Sequence, residues 1–307
     1  MTSIRLCLTN FIGDYQGFRN LLTHVYPGKE NDFINAIKTD PQKTLEWKFG
    51  RSPSESVTVG YFYGDVMVSF LGGYGVNFLS NGGIEKGLIG TDAMSHLIYR
   101  GRGHFLKVIN EALRIAETEN RIMAAFGMDN RRAHRILVKR FGFTHLYNPT
   151  LRTKKIERRG HVEISADLPE TRKLEDWQKK NVPRGLFKDG EYLNWRYREI
   201  HFLRYDIIGN DEGLVVLKKF KDDLHIVDMM ASSPDAVEHL LAQAEYYGAD
   251  SGKANLSLWY EDWMPYADLL EKRGFRKEKS RFEFVVKSHN IGSKEEWHTS
   301  MGDFDVF

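Results

Sequence analysis

The sequence predicts an α/β (α+β) fold of two similar domains, each a mixed, mostly antiparallel twisted sheet flanked by helices. Three observations predict it. At 307 residues the chain is long enough for two cores. Hydrophobic residues make up 41% and charged residues 28%, the balance of a soluble globular protein. Both halves run strand–strand–helix–strand–helix–Gly-Phe–strand, and "AHRILVKRFGF" (133–143) echoes "YADLLEKRGF" (266–275). No short period repeats, so the pattern reads as a duplication rather than a solenoid.

In the first half, residues 4–10 read as a strand, and 14–26 and 32–50 as helices, the second interrupted by Pro41. Residues 56–80 are rich in β-branched and aromatic side chains. They break at Tyr63-Gly64-Asp65, which predicts a hairpin. A strand over 86–99 follows. Phe105, Val108, Ile109, Ala112, Leu113 and Ala116 then fall on one face of a helix over 104–120. Residues 121–128 form a buried strand, and 129–143 a helix stopped by Gly142. The stretch "RTKKIERRGH" reads as the last strand of the first domain.

The expected division is a first domain over 1–160, a charge-dense connector over 161–190, a second domain over 191–290 and a tail over 291–307. In the second domain "FLRYDIIG", "GLVVLKKF" and "LHIVDMMAS" are strands, and 234–249 is a helix with Pro234 at its start. "ANLSLWY", a helix over 264–275 and a last strand, "SRFEFVVKS", complete it.

The bulk numbers exclude several function classes. A net charge of +2 gives no case for nucleic acid. The single cysteine, Cys7, excludes an internal disulfide framework and a cysteine-rich zinc site. The N-terminus has no basic head followed by an apolar run, and no window approaches a membrane span. A cytoplasmic protein, monomer or homodimer, is the expectation.

The stretch with chemical meaning is "YRGRGHF" (99–105), where the strand gives way to the helix. A helix start offers free N–H groups and partial positive charge, and glycines let the backbone curl around a phosphate. The Gly-Lys-Ser/Thr ending of a Walker loop is absent, and so is the third glycine of a dinucleotide fingerprint. The alternative is an ordinary turn with solvated arginines.

Arg100, Gly101 and Gly103 within "RGRGHF", followed by a helix, a strand and the "N…A…FGF" helix, resemble the signature of the GNAT acyltransferase superfamily. The resemblance covers roughly residues 1–160. It implies acyl-CoA as cosubstrate and no metal, with the pantetheine running along a first strand splayed from the second. The implied contacts are Leu97, Ile98, Arg100, Gly101, Arg102, Gly103, His104 and Phe105. The second half carries "DMMASSPDAV" at its equivalent junction and should not hold CoA. Phe105 stands beside a slot that is often small. The tyrosine that protonates the thiolate in many relatives is replaced by Leu137 or Val138.

"EYLNWRY" (191–197) and the terminal "WHTSMGDFDVF" (297–307) resemble tandem GNAT proteins of surface-polysaccharide synthesis. These include N-acyltransferases acting on the amine of a nucleotide-linked (dTDP- or UDP-) dideoxy aminosugar, for lipopolysaccharide O-antigen or capsule. Two other readings remain: a peptide, amino-acid or aminoglycoside amine as acceptor, or a non-catalytic CoA-binding module.

Direct attack by an amine needs a proton acceptor and polarisation of the thioester carbonyl. Asp92 and His96 lie upstream of the loop, four apart and so on one face of a regular strand. They are the candidate catalytic pair; the alternatives are a turn for Asp92 and a packed neutral ring for His96. Asn130 can contact the CoA tail or cap a helix. Arg132, with Arg131 and Arg135, can meet the adenosine phosphates or face solvent. Between the domains, Trp195 and Arg196 can stack on a base or pair with a diphosphate, or belong to the core. His225, Asp228 and Tyr260 lie where an active second copy would face its ligand, with Trp259 and Glu261 beside them. The tail can fold back on the site or fray.

Overall fold

Why the sheets form where they do follows from pairing. The computed structural model describes residues 2–8, 14–118, 124–129, 131–157, 160, 162, 164 and 167–304. The first half holds β1 (Thr2–Leu8), α1 (Tyr15–Val25), α2 (Asp32–Thr39), α3 (Pro41–Leu45) and a π-helical turn (Glu46–Gly50). It continues with β2 (Ser54–Tyr63), β3 (Val66–Ser80), β4 (Gly83–Ser95), a 3₁₀ turn (Leu97–Tyr99) and α4 (His104–Thr118). Then come β5 (Ala124–Asp129), α5 (Arg131–Phe141), β6 (Thr144–Tyr147) and β7 (Thr150–Lys155). The second half holds α6 (Arg172–Asn181), β8 (Arg184–Leu186), α7 (Gly190–Tyr197), β9 (Asp206–Asn210), β10 (Gly213–Phe220) and β11 (Asp223–Ala231). It ends with α8 (Pro234–Asp250), β12 (Asn255–Trp259), α9 (Ala267–Lys272), β13 (Arg276–Lys279), β14 (Glu283–Ser288) and β15 (Trp297–His298). No helix among the described residues is long and apolar enough to cross a membrane.

Two sheets result, and they exchange a strand. The first runs β1-β2-β3-β4-β5-β14-β6, with β8 against β3 and β15 against β8. The second runs β13-β7-β12-β11-β10-β9. The strand expected to close the first domain is β7, and it lies between β12 and β13 of the second sheet. The expected last strand of the second domain, β14, inserts between β5 and β6 of the first. A division at residue 160 therefore does not follow sheet membership. Local pattern does not distinguish the two placements, because either strand is an amphipathic run that needs two antiparallel neighbours. The connector is more ordered than its charge suggests, since it supplies α6 and β8.

The expected helix over 32–50 is three pieces. Asp40 ends α2 and its carboxylate accepts from the Lys43 N–H, while Pro41 opens α3. Helix α4 buries Val108, Ile109, Ala112, Ile115 and Ala116 against β2 and β3, as its periodicity requires.

The tail docks. Residues 297–298 pair with β8, and Trp297, Met301, Asp303 and Phe304 are buried. The Lys188 ammonium meets Asp228 at 2.6 Å and Asp303 at 2.7 Å. Tyr197 donates to the other Asp228 oxygen (2.8 Å), and the Tyr74 hydroxyl donates to the Asp303 carbonyl (2.8 Å). Arg196 donates to the carbonyls of Gly302 and Phe304. Trp47 and Trp195 stack with ring centres 5.4 Å apart, and each indole N–H donates to the other's carbonyl at 2.9 Å.

His298 sits in this region, and burial with the nearby Lys188 cation holds its pKa down to about 4. Above about pH 6.5 the ring is neutral in folded and unfolded chains alike. Between pH 6.5 and 4 the unfolded chain takes up a proton that the native state refuses, so stability falls on acidification, by up to about 3 kcal/mol from this group. Chemical denaturation across that window is expected to show a shallower loss for His298→Asn than for the parent; equal slopes would contradict the buried neutral ring.

Candidate active site

Strand β4 pairs in parallel with β5 only from Gly87 to Ile89, opposite residues 124–126. Beyond Ile89 the described pairing stops, although β5 continues to Asp129 and stays bonded to β14 along its other edge. The two strands thus splay. On its other side β4 carries a bulge: Thr91 faces Gly72 and Met94 faces Phe70, so Asp92 and Ala93 together oppose Leu71. Asp92 takes φ +50°, an uncommon conformation for a side-chain-bearing residue, which marks where the strand bends. The splay opens into a cleft of about 890 Å³, with Gly90, Asp92 and Ala93 on one wall and Gly127, Ala133 and Leu137 on another. This space is large enough for an extended ligand.

The glycine turn lies at the end of β4. Gly101 and Gly103 both take φ +78°, which is why each is glycine, and a side chain built at either meets nothing within 4 Å. Gly103, just before α4, has no side chain with which to cap the helix. His104 opens the helix, stacks on Tyr61 with ring centres 4.6 Å apart and has a buried Nδ1 without a partner. Burial, then Lys107 and Arg102, push its pKa below the ordinary value, so it is neutral at pH 7. A buried ring nitrogen, a helix start that follows a glycine, two cations and open space suit a phosphate-bearing ligand.

No protein-family model and no curated protein sequence matches the chain. Solved structures do match. A GCN5-related N-acetyltransferase from Kribbella flavida aligns over 94% of this chain and 71% of its own, with TM-score 0.65 and 12% identity. An Enterococcus faecalis V583 protein named "Probable N-Acyltransferase" aligns over 94% and 73%, with TM-score 0.67 and 12% identity. A GCN5-related N-acetyltransferase from Anabaena variabilis aligns over 95% and 74%, with TM-score 0.63 and 11% identity. The chain has the fold of the GCN5-related N-acetyltransferases. The two sheets are two copies of that GNAT fold, and the splay and glycine turn described above lie in the first.

Within this GNAT fold the expected residues separate. Asp92 lines the cleft, and its carboxylate meets the buried Lys48 ammonium at 2.7 Å, with Thr91 Oγ1 3.0 Å from the same nitrogen. His96 does not line it. It lies past the end of β4, caps the 3₁₀ turn and packs against His24, ring centres 4.6 Å apart. Burial, then His24, hold its pKa below the ordinary value. Leu97 and Ile98, expected on the strand, occupy the 3₁₀ turn, and Ile98 is 73% exposed. The bulge shortens the strand's reach, so the β pattern that runs on to Tyr99 in sequence ends at Ser95. Arg100 donates to the Ser95 carbonyl, Arg102 lies over Tyr99, and Phe105 lines the cleft. Asn130 lies outside the described residues, as does the side chain of Arg132.

On the second copy, Trp195 belongs to the tryptophan pair and Arg196 holds the tail while edging the cleft. His225 bonds Ser257 at 2.6 Å, Asp228 is buried with Lys188 and Tyr197, and the Tyr260 hydroxyl donates to the Pro265 carbonyl. None of these last three lines the cleft. The sequence reading did not single out Lys48, Lys218, Lys219 or Arg281, which do. The available signal for Lys48 was a lone cation between two aromatics in "EWKFG".

The left-handed turn yields a direct test. Gly103→Ala is expected to cost about 1–2 kcal/mol of stability through the backbone conformation alone. Urea unfolding measures it, and an unchanged midpoint would contradict the turn.

Proposed function

We propose that the protein is an acyl-CoA-dependent N-acyltransferase whose acceptor is a primary amine on an anionic molecule. The observation that carries this reading is the splay of β4 from β5, continuous with the glycine turn at the start of α4. Arg102, His104 and the first-turn N–H groups of α4 would hold the pyrophosphate, and the edge of β4 that splays from β5, from Gly90 to Ser95, the pantetheine. Acyl-CoA supplies an activated thioester carbonyl. Main-chain N–H groups near the bulge would polarise that carbonyl, and Asp92, steadied by Lys48, would take the amine proton directly or through water. His96 is better read as a positioning residue under the turn than as a base, because its ring lies outside the cleft.

The acceptor's charge is read from the cleft. Lys29, Lys48, Arg196, Lys218, Lys219 and Arg281 line it against two carboxylates, Asp32 and Asp92. Burial pushes the Lys218 pKa down, which favours a bound anion over bulk water as its partner. Such a wall fits a diphosphate or carboxylate and repels a polycation, so an aminoglycoside fits poorly. The finer reading is the amine of a nucleotide-linked dideoxy aminosugar used in lipopolysaccharide or capsule synthesis.

The experiment is CoA release from acetyl-CoA with UDP- and dTDP-linked aminosugars, amino acids, peptides and aminoglycosides as acceptors. Turnover with the anionic amines supports the reading; turnover confined to polycationic amines overturns the acceptor assignment. Lys218→Glu is expected to raise the acceptor KM by about tenfold or more, roughly 1.4 kcal/mol, with the acyl-CoA KM unchanged. Gly103→Trp should do the reverse, raising the acyl-CoA KM steeply.

A further inference from the structure

The chain carries a second cluster with chemistry, on α5 next to the cleft residues Ala133 and Leu137. His134 is in the first turn of α5, His145 is on β6, and Glu283 begins β14. One ligand atom from each lies within 4.8 Å of the others. His134 Nε2 is 2.9 Å from His145 Nδ1, with the rings edge to face at 82°. His134 Nδ1 is 3.5 Å from Glu283 Oε2. That oxygen is buried and has no hydrogen-bond partner among the described residues. A buried carboxylate oxygen without a donor is costly, and it faces two imidazoles.

We propose that His134, His145 and Glu283 bind one divalent transition-metal ion of the zinc class. Two imidazole nitrogens and one carboxylate oxygen form a zinc donor set, and three protein ligands leave a fourth position for water. The nitrogen donors disfavour magnesium and calcium, which take oxygen ligands. Zinc–nitrogen bonds of about 2.0–2.1 Å put tetrahedral ligands about 3.3 Å apart, so the two imidazoles part by a few tenths of an ångström and the Glu283 carboxylate, within 4.8 Å, closes in.

The placement gives the ion a purpose. Two ligands come from the first half of the chain and the third from the strand that the second half inserts. The ion pins β14 to β6 and α5, and so fixes the helix that also carries the cleft residues Ala133 and Leu137. The sequence showed no metal signature, because the ligands are 11 and 138 residues apart and meet only through the strand exchange.

The test is calorimetric titration of chelator-treated, full-length protein with Zn²⁺, and separately with Mg²⁺, alongside thermal unfolding with and without Zn²⁺. One equivalent of Zn²⁺ is expected to bind, Mg²⁺ to give no saturable signal, and Tm to rise with Zn²⁺. Glu283→Gln and His134→Asn should each weaken binding by more than about 100-fold, beyond the loss usual for an outer-shell partner, and abolish the Tm rise. If His134→Asn fails to fold, the near-isosteric Glu283→Gln decides. Absence of saturable Zn²⁺ binding, or binding that Glu283→Gln leaves intact, would overturn the site and leave a hydrogen-bonded His–His–Glu cluster in its place.

Discussion

Everything in the candidate site depends on one break in hydrogen bonding: β4 leaves β5 after Ile89. Opening a sheet in its middle exposes main-chain groups that would otherwise pair, and the rest of the structure must make that opening stable. It does so from the far edge. Strand β5 is held along its length by β14, from Ser288 opposite Ala124 to Glu283 opposite Asp129. Because β14 comes from the second half while β7 is given in return, neither sheet is complete without the other half of the chain. The cleft's geometry is thus a property of the whole molecule.

The second copy shows what the first would be without its turn. Strands β11 and β12 also pair over only three residues, 223–225 with 255–257, and β11 bulges where Val227 is left over between Ile226 and Asp228. The space beside it is filled. Lys188, Asp228, Ser300 and Tyr260 line a remnant of about 80 Å³, against about 890 Å³ in the first copy. Helix α8 is capped by the Ser233 hydroxyl and opens on Pro234, so its start offers fewer free donors than that of α4. The buried charges there hold the tail. Their network joins Lys188 to two carboxylates, and its removal one partner at a time would leave a buried charge uncompensated.

Local physics made much of the fold legible. The amphipathic period of α4, the stop at Gly142, the proline opening α8 and the hairpin at Gly64 all act within a few residues, and they appear where the pattern put them. The same holds for the glycine turn, whose two left-handed residues are glycines for a reason visible in sequence. What was not legible is long-range. The exchange of β7 and β14 leaves no local trace, because the two strands satisfy the same kind of slot. Trp195 and Arg196 looked like ligand binders, since an aromatic beside a cation serves a nucleotide and a packed interface equally well. Lys48 and Lys218 gained meaning only when folding brought them to one cleft.

The central claim is that one copy holds the acyl donor and the opening beside the other is closed. A crystal structure of the full chain with CoA tests it most directly. One CoA per chain is predicted, its pyrophosphate against residues 100–104 and its pantetheine between Gly90 and Gly127. Density at the start of α8, a second CoA beside β11, or a ligand lying outside the β4–β5 opening would contradict it.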